Sequence, residues 1–445
     1  MTVEETTITG SSAAEIADSV RALVERGALR DDDALPPVRA LAERLKVNRN
    51  TVVAAYRQLA GAGLVVARGR GGTRVAAPAP VAQEGFAANS VLRDVGTGNP
   101  DPVRIPPPPW ASVTDRPVLY GEPVIDPGLE RWAREWMRAA LDPAHDVHLT
   151  ITSGAADAVE RLLTQALTRD DAVALEDPCF LPSIHTVRLA GFRPVAVPVD
   201  AEGMTVAGLR AALDAGVRAV VCTPRAQNPT GASVTAARAA ALRDVLAAHP
   251  YVLVIEDDHY SMLSTRAFHS IIGPGHRRWA LVRSVSKFLG PDMCLAVTAS
   301  DAETAERLGL RLTPGTTWVS HLLQRLTDAL VTDAAVVAGV GVAGEHYAAR
   351  NAAFAELLTR QGLPTAPGDG VNLWVPLPLP ARDVTAHLMR RGWLARAGDE
   401  FRLADPAADA HLRLTVHDLD DADAARLAAD IAASVAAVRI AARVG

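Results

Sequence analysis

Apolar positions in the first part of the chain recur at helical spacing in three short runs. Ile16, Val20, Leu23 and Val24 fall at i, i+4, i+7 and i+8, and Ser11, Ser12 and Glu15 supply a helix start. Leu35-Pro36-Pro37 interrupts this run, and proline suits the first turn of a new helix marked by Val38, Leu41, Ala42 and Leu45. Val47-Asn48-Arg49-Asn50 turns into a third helix, in which Val52, Tyr56 and Leu59 share one face and which Gly61 and Gly63 close. Leu64 to Ala67 and Thr73 to Val75 then read as two strands around Arg68-Gly69-Arg70-Gly71-Gly72, a glycine-rich hairpin. From Ala76 to about Ser90 alanine and proline dominate without a period, as in a linker. The pattern divides the chain into residues 1–75, a linker over 76–95, and a large unit over 96–445.

In the large unit the period changes. Short apolar runs at Ala172–Leu175, Val195–Val197, Ala219–Cys222, Val252–Ile255 and Ala280–Val282 alternate with helical stretches, which predicts an α/β fold with a mainly parallel sheet and flanking helices. Polar groups follow the runs: Ser153-Gly154 after Leu149-Thr150-Ile151, then Asp177-Pro178, Thr223-Pro224, Asp257-Asp258 and Ser284 to Lys287. Ligands of open α/β sheets sit at the carboxyl ends of strands, so these junctions are expected to converge on one pocket. Residues after about His321 read as a further helical region and a small C-terminal α/β lobe.

Composition adds two facts to this picture. Hydrophobic residues make up 49% and charged residues 22%, the balance of a folded globular chain, and no stretch approaches about 18 uninterrupted apolar residues. A cytoplasmic protein with no membrane partner is expected. The cysteines Cys179, Cys222 and Cys294 have no paired spacing, so neither a disulfide framework nor a metal site is predicted. Net charge is −6, yet between Ala34 and Val75 the only acid is Glu43, against Arg39, Arg44, Lys46, Arg49, Arg57, Arg68, Arg70 and Arg74. Two short helices and a basic hairpin suit DNA, one helix entering the major groove while the wing reaches phosphates. Lysine occurs only twice, as Lys46 and Lys287, so arginine supplies nearly all positive charge. A lysine kept after Ser284-Val285-Ser286 invites a chemical reason, because a buried primary amine can attack an aldehyde and a guanidinium cannot.

The residues Leu35-Pro36-Pro37-Val38-Arg39, Leu41-Ala42, Val47-Asn48-Arg49-Asn50-Thr51-Val52, Tyr56, Leu59 and Gly63-Leu64-Val65 resemble the winged helix-turn-helix of the GntR regulators. The resemblance implies contacts to double-stranded operator DNA from Arg39, Asn48, Arg49 and Thr51, and from Arg70 in the wing. In the large unit, Ser153-Gly154, Asp177-Pro178-Cys179-Phe180, Asn228-Pro229-Thr230-Gly231, Asp257, Ser284-Val285-Ser286-Lys287 and Arg413 resemble fold-type I aminotransferases in their order. Joined in this order, the two halves resemble the MocR-type subfamily of GntR regulators.

That likeness implies pyridoxal 5'-phosphate as cofactor. Gly154, Ala155 and Ser284 would hold its phosphate, Phe180 would stack on its ring, and Asp257 would bond the ring nitrogen. Asn228 and Tyr260 would bond its phenolic oxygen, Lys287 its aldehyde, and Arg413 the carboxylate of an effector. Two positions depart from the family: Cys294 stands where a phosphate-binding arginine is usual, and His259 stands where a tyrosine follows Asp-Asp. The implied function is effector-responsive transcription regulation by a homodimer, in which an amino acid or amine forms an external aldimine and changes DNA binding. A working aminotransferase that keeps a DNA-binding domain, and a regulator that has lost the cofactor, remain alternatives at this level; full transamination turnover is not expected.

Overall fold

Serine and glutamate at the start of the first helix do what their spacing predicts. The Ser12 hydroxyl accepts the Glu15 amide at 3.2 Å, and the Glu15 carboxylate accepts the Ser11 amide at 2.8 Å, so amides at the helix start find partners. The structure is a computed structural model that describes residues 8–30, 32–62, 64–67, 72–76, 92–113, 117–312, 318–403 and 409–444. It divides into two units, Met1–Ala82 and Gln83–Gly445.

The first unit contains α1 (Ala13–Glu25), α2 (Val38–Leu45), α3 (Arg49–Gly61), β1 (Val65–Ala67) and β2 (Thr73–Val75). Ile16, Val20 and Leu23 of α1 pack with Leu41, Val52 and Leu59 in one small core, and the Tyr56 hydroxyl donates to Pro36 O at 2.7 Å. β1 and β2 pair antiparallel, with Val65 opposite Val75. The stretch before α2 extends this ribbon, a feature the apolar pattern does not announce: Leu35 donates to Thr73 O at 2.8 Å and Val75 donates to Asp33 O at 2.9 Å. Arg74 is drawn into the same junction, donating to Asp32 O at 2.6 Å, so one of the basic residues serves the fold. Arg70 lies outside the described residues.

In the second unit β3 (Arg93–Asp94) precedes a central sheet of eight strands: β4 (His148–Thr152), β5 (Ala172–Asp177), β6 (Arg193–Asp200), β7 (Gly203–Met204), β8 (Ala219–Cys222), β9 (Leu253–Asp257), β10 (Trp279–Ser284) and β11 (Ala296–Ser300). The order across the sheet is β4-β11-β10-β9-β8-β5-β6-β7. Pairs β10·β9, β9·β8, β8·β5 and β5·β6 are parallel, as the alternation predicts. β11, absent from the sequence-based reading, runs antiparallel to both β10 and β4.

Helices α4 (Pro127–Arg138), α5 (Ala155–Ala166), α6 (Leu181–Leu189), α7 (Val206–Asp214), α8 (Ala236–Leu246), α9 (Ser286–Leu289) and α10 (Ala302–Leu312) intervene between strands or follow them. They bury the sheet on both faces. Along β5, Ala172 and Ala174 join a core shared with α4, α7 and α8, while Val173 and Leu175 join one shared with α5, α6 and α10. This two-residue alternation is why the strands read as continuous apolar runs.

Helices α11 (His321–Val331) and α12 (Ala334–Arg360) lead to a small lobe of β12 (Leu373–Pro376), α13 (Ala381–Arg390), β13 (Trp393–Leu394), β14 (Arg396–Ala397), β15 (His411–Leu414) and α14 (Asp421–Val444). β12, β15 and β14 form its sheet. β3 pairs parallel with β13, so Arg93 and Asp94, assigned to the linker from sequence, are part of this lobe. Among the described residues no single helix is long and apolar enough to cross a membrane.

The small core of the first unit makes it the more easily disrupted. Leu23, fully buried there, is expected to cost about 2–5 kcal/mol when replaced by alanine. The Leu23→Ala protein should show an earlier denaturant transition for the first unit and an unmoved one for the second. Loss of both transitions together would mean that the two units do not unfold independently.

Candidate functional site

Register across the sheet brings the polar junctions together. Ser284 at the end of β10 lies opposite Ala296, which lies opposite Thr152 at the end of β4, so Ser284 and Ser153-Gly154 sit at strand ends on either side of β11. A cavity of about 190 Å³ opens there, lined among others by Gly154, Ala155, Phe180, Asn228, Asp257, Ser284 and Lys287. Gly154 precedes α5 with φ +92°, where an L side chain is strained, and an added Cβ would stand 3.0 Å from Cys294 Sγ. No side chain caps α5 at Gly154, and Ala155 and Ala156 in its first turn line the cavity, an arrangement suited to an anion.

Two adjacent carboxylates at the end of β9 have opposite electrostatics. Asp258 is fully buried, which alone would push its carboxyl up. Arg283 and Arg225 more than offset this: Arg225 donates to both oxygens at 3.0 and 2.7 Å, and Arg283 donates at 2.8 Å, holding the group below its usual range. Asp257 has no such partners. Its Oδ1 is buried without a hydrogen bond, and burial, with the charge of Asp258 adding, raises its pKa to about 7 against the opposing pull of Lys287. A cationic ring nitrogen would relieve it.

The Phe180 ring faces His259 nearly parallel, at 8°, with centroids 6.5 Å apart. Both rings line the cavity, so a planar ring entering it meets two parallel aromatic surfaces, each of which it can approach to roughly the 3.5 Å carbon contact distance. The sequence marks His259 only as a departure from the family; its place two residues beyond Asp257 is the signal that puts it on this side of the cavity. Lys287 Nζ donates to Gly98 O at 3.1 Å, so the segment after β3 approaches the amine from the lobe side. Orphaned Asp257, the ring slot, the amine and the glycine turn together fit pyridoxal 5'-phosphate.

Two residues given roles from sequence adjoin this cavity without lining it. Tyr260 does not line this cavity. It lines a small neighbouring hollow with Asn228, His259, Lys287 and Asp369, its hydroxyl buried without a partner and its pKa pushed up by burial. Arg413 is fully buried behind Asn228, donating to Asn228 Oδ1 at 3.3 Å and to Gly96 O at 2.6 Å, with its guanidinium 4.9 Å from the Phe401 ring centre. Asp177 also turns away, accepting the Leu403 amide at 3.1 Å.

On the first unit, Arg39 and Arg49 are exposed, Arg49 opening α3 and Arg39 paired with Glu43 at 3.0 Å across one turn of α2. Such an exposed pair contributes little, so phosphates can compete for the guanidinium. Asn48 caps α3, its Oδ1 accepting the Asn50 amide at 2.8 Å, a structural duty beyond the DNA contact expected from sequence. Thr51 is half-buried in the first turn of α3. Among the described residues no group of three or more His, Cys, Asp or Glu could hold a metal ion.

A winged helical unit followed by this sheet and cavity defines a DNA-binding regulator built on an aminotransferase fold. The chain belongs to the MocR-type GntR regulators: residues 12–75 match the bacterial regulatory proteins of the gntR family, and residues 87–431 match aminotransferase class I and II. It is similar to the vitamin B6 salvage pathway transcriptional repressor PtsJ of Salmonella typhimurium, 47% identical over 95% of this chain and 98% of that protein. The pyridoxine biosynthesis transcriptional regulator PdxR of Corynebacterium glutamicum is 30% identical over 56% of each chain. In fold, kynurenine aminotransferase of Pyrococcus horikoshii superposes with a TM-score of 0.70 at 19% identity, over 78% of this chain and 91% of that one.

Burial raises Glu176, Glu256 and Asp257 each to about 7. In the unfolded chain these carboxyls lose their protons near pH 4, whereas the fold retains them to about pH 7. Their contribution is therefore most favourable below pH 4 and declines as pH rises to about 7. Asp257→Asn should flatten that decline and make the ligand-free protein more stable at pH 8, by on the order of a few kcal/mol. Urea midpoints at pH 5 and pH 8 check this; parallel declines in both proteins would show that Asp257 ionises at ordinary pH.

Proposed function

We propose that this chain is a transcription regulator that binds pyridoxal 5'-phosphate in the Asp257–Lys287 cavity and alters its hold on operator DNA in response. The observation that carries this reading is the buried, unpaired Oδ1 of Asp257 in a cavity that also presents the Lys287 amine. A buried carboxyl without a hydrogen-bond partner is costly, and a cationic partner arriving in the cavity satisfies it. In this reading Gly154, Ala155 and Ser284 face the phosphate, Phe180 the ring, Asn228 the phenolic oxygen and Lys287 the aldehyde. Tyr260, its hydroxyl buried without a partner in the adjoining hollow, is the second group for the phenolic oxygen. When bound, the cofactor supplies an electrophilic aldehyde and a ring that withdraws electrons. The likeness to PtsJ, named for a vitamin B6 pathway, supports the cofactor itself as the signal.

A second reading takes an amino acid or amine as effector, with Arg413 receiving its carboxylate. The placement of Arg413 favours the first, because its guanidinium is fully buried and already donates to Asn228 Oδ1 and Gly96 O. The exposed side chains of Trp110, Leu119, Tyr120, Val124 and Leu322, with Tyr120 5.4 Å from Trp318, support a homodimer joined through the second unit. A symmetric pair of winged units then favours a palindromic or repeated operator in the cytoplasm, read by Arg39, Asn48, Arg49, Thr51 and Arg70.

Pyridoxal phosphate should change operator affinity measured by anisotropy, and borohydride should fix it to the unaltered chain. Lys287→Ala and Lys287→Arg should both lose the fixed product, since the guanidinium keeps the charge without the nucleophile. An undiminished product in either variant would remove Lys287 from its role. If titration with amino acids, and not with the cofactor, moves the affinity, the second reading replaces the first.

Arg39→Ala and Arg49→Ala should weaken operator binding while cofactor absorbance stays the same. Each lost phosphate contact should reduce the slope of log affinity against log salt by about 0.9. Unchanged affinity and slope would place the DNA surface elsewhere on the unit.

A further inference from the structure

The two ends of the cavity are built unequally. The ring end is furnished with the groups a pyridine ring needs: the Phe180 and His259 rings line the cavity nearly parallel with centroids 6.5 Å apart, and Asp257 Oδ1 lies buried without a partner. Around Gly154 the groups are neutral, namely the first amides of α5, the hydroxyls of Ser284 and Ser286, and the Cys294 thiol. Among the described residues lining the cavity, Lys287 is the one lysine or arginine. Arg161 on α5 is engaged with Asp157 at 2.6 Å and Arg311 O at 3.2 Å. The charges beside Cys294 are acidic: after burial, Asp157 and Asp292 both push its thiol up. Among the described residues a phosphate dianion there meets amide and hydroxyl donors, and acids close by, without an arginine counter-ion.

We infer that this site selects its ligand by the planar pyridine ring, gripped between Phe180 and His259 over Asp257, more than by the phosphate, and so takes unphosphorylated pyridine vitamers as well as phosphorylated ones. The inference rests on the cofactor reading above and makes His259 a binding residue for the second face of the ring. An imidazole offers a flat aromatic surface there, which an aliphatic side chain does not.

Pyridoxamine and pyridoxamine 5'-phosphate test this on the full chain by calorimetry. They differ only by the phosphate and have no aldehyde, so Lys287 chemistry does not enter the comparison. Both should bind, the phosphorylated compound preferred by no more than about thirtyfold, the upper worth of a helix N-terminus to an anion. His259→Ala should weaken both by the same factor, about two- to tenfold, and His259→Phe should restore both. Cys294→Arg should tighten the phosphorylated compound alone, widening the preference by about ten- to a hundredfold.

A preference above about thirtyfold in the unaltered chain overturns the inference. So does a folded His259→Ala protein, checked by circular dichroism, with both affinities unchanged. Binding of pyridoxal phosphate and pyridoxamine phosphate without pyridoxamine removes this inference and leaves the cofactor reading standing. If none of the three binds, the cofactor reading falls with it.

Discussion

The fully buried Asp258 carboxylate is the constraint around which the second unit is arranged. An ionised carboxylate removed from water needs close cations, and it has two, Arg225 and Arg283. Those guanidiniums must in turn be housed. Arg283 donates to Trp136 O at the end of α4 and lies over the Trp136 and Phe268 rings, while Arg225 donates to Arg266 O and shares Phe268. One charge thereby ties β9, β10, α4 and the two loops that follow β8 and β9. Because side chains alternate along an extended strand, fixing Asp258 on one side of β9 presents Asp257 to the other, into the cavity. The contrast between a paired and an unpaired carboxylate on neighbouring residues of one type is what gives the site its unsatisfied group.

The winged unit depends on a different economy of contacts. Its core is small, and much of its order comes from hydrogen bonds at helix ends and at the ribbon edge: Ser12 and Glu15 at α1, Asn48 at α3, Tyr56 to Pro36, and residues 33–35 along β2. Several of these residues lie beside the basic positions expected to meet DNA. Holding Asn48 as a helix cap fixes the direction in which Arg49 and Thr51 leave the first turn of α3, so fold and recognition share the same few residues.

The fold and most of the site were legible in the sequence because period and order carry them. The parallel strands announce themselves as apolar runs ending in polar junctions, and Lys287 stands out in a chain that otherwise uses arginine. Direction is another matter: Ala296–Ser300 has the composition of its neighbours, and nothing local says that β11 runs against them. Burial behind a neighbour is equally silent. Arg413 has the right spacing for an effector contact, yet only the packed structure shows Asn228 and Gly96 already at its guanidinium and Tyr260 in the adjoining hollow. The pairing of Phe180 with His259 joins the loop after β5 to the loop after β9, a contact made by the sheet and invisible to any window along the chain.

The scarcity of lysine also governs what else an aldehyde ligand can do to this protein. Reactive aldehydes condense with whatever unprotonated amines they meet, and a surface rich in lysine would collect adducts in proportion to its exposed side chains. Here the side-chain amines are two, Lys46 on the winged unit and Lys287 in the cavity. Arginine supplies the remaining positive charge without the nucleophile. An aldehyde therefore meets one exposed lysine, Lys46, outside the cavity, and the omission of lysine elsewhere narrows where it can form a side-chain adduct.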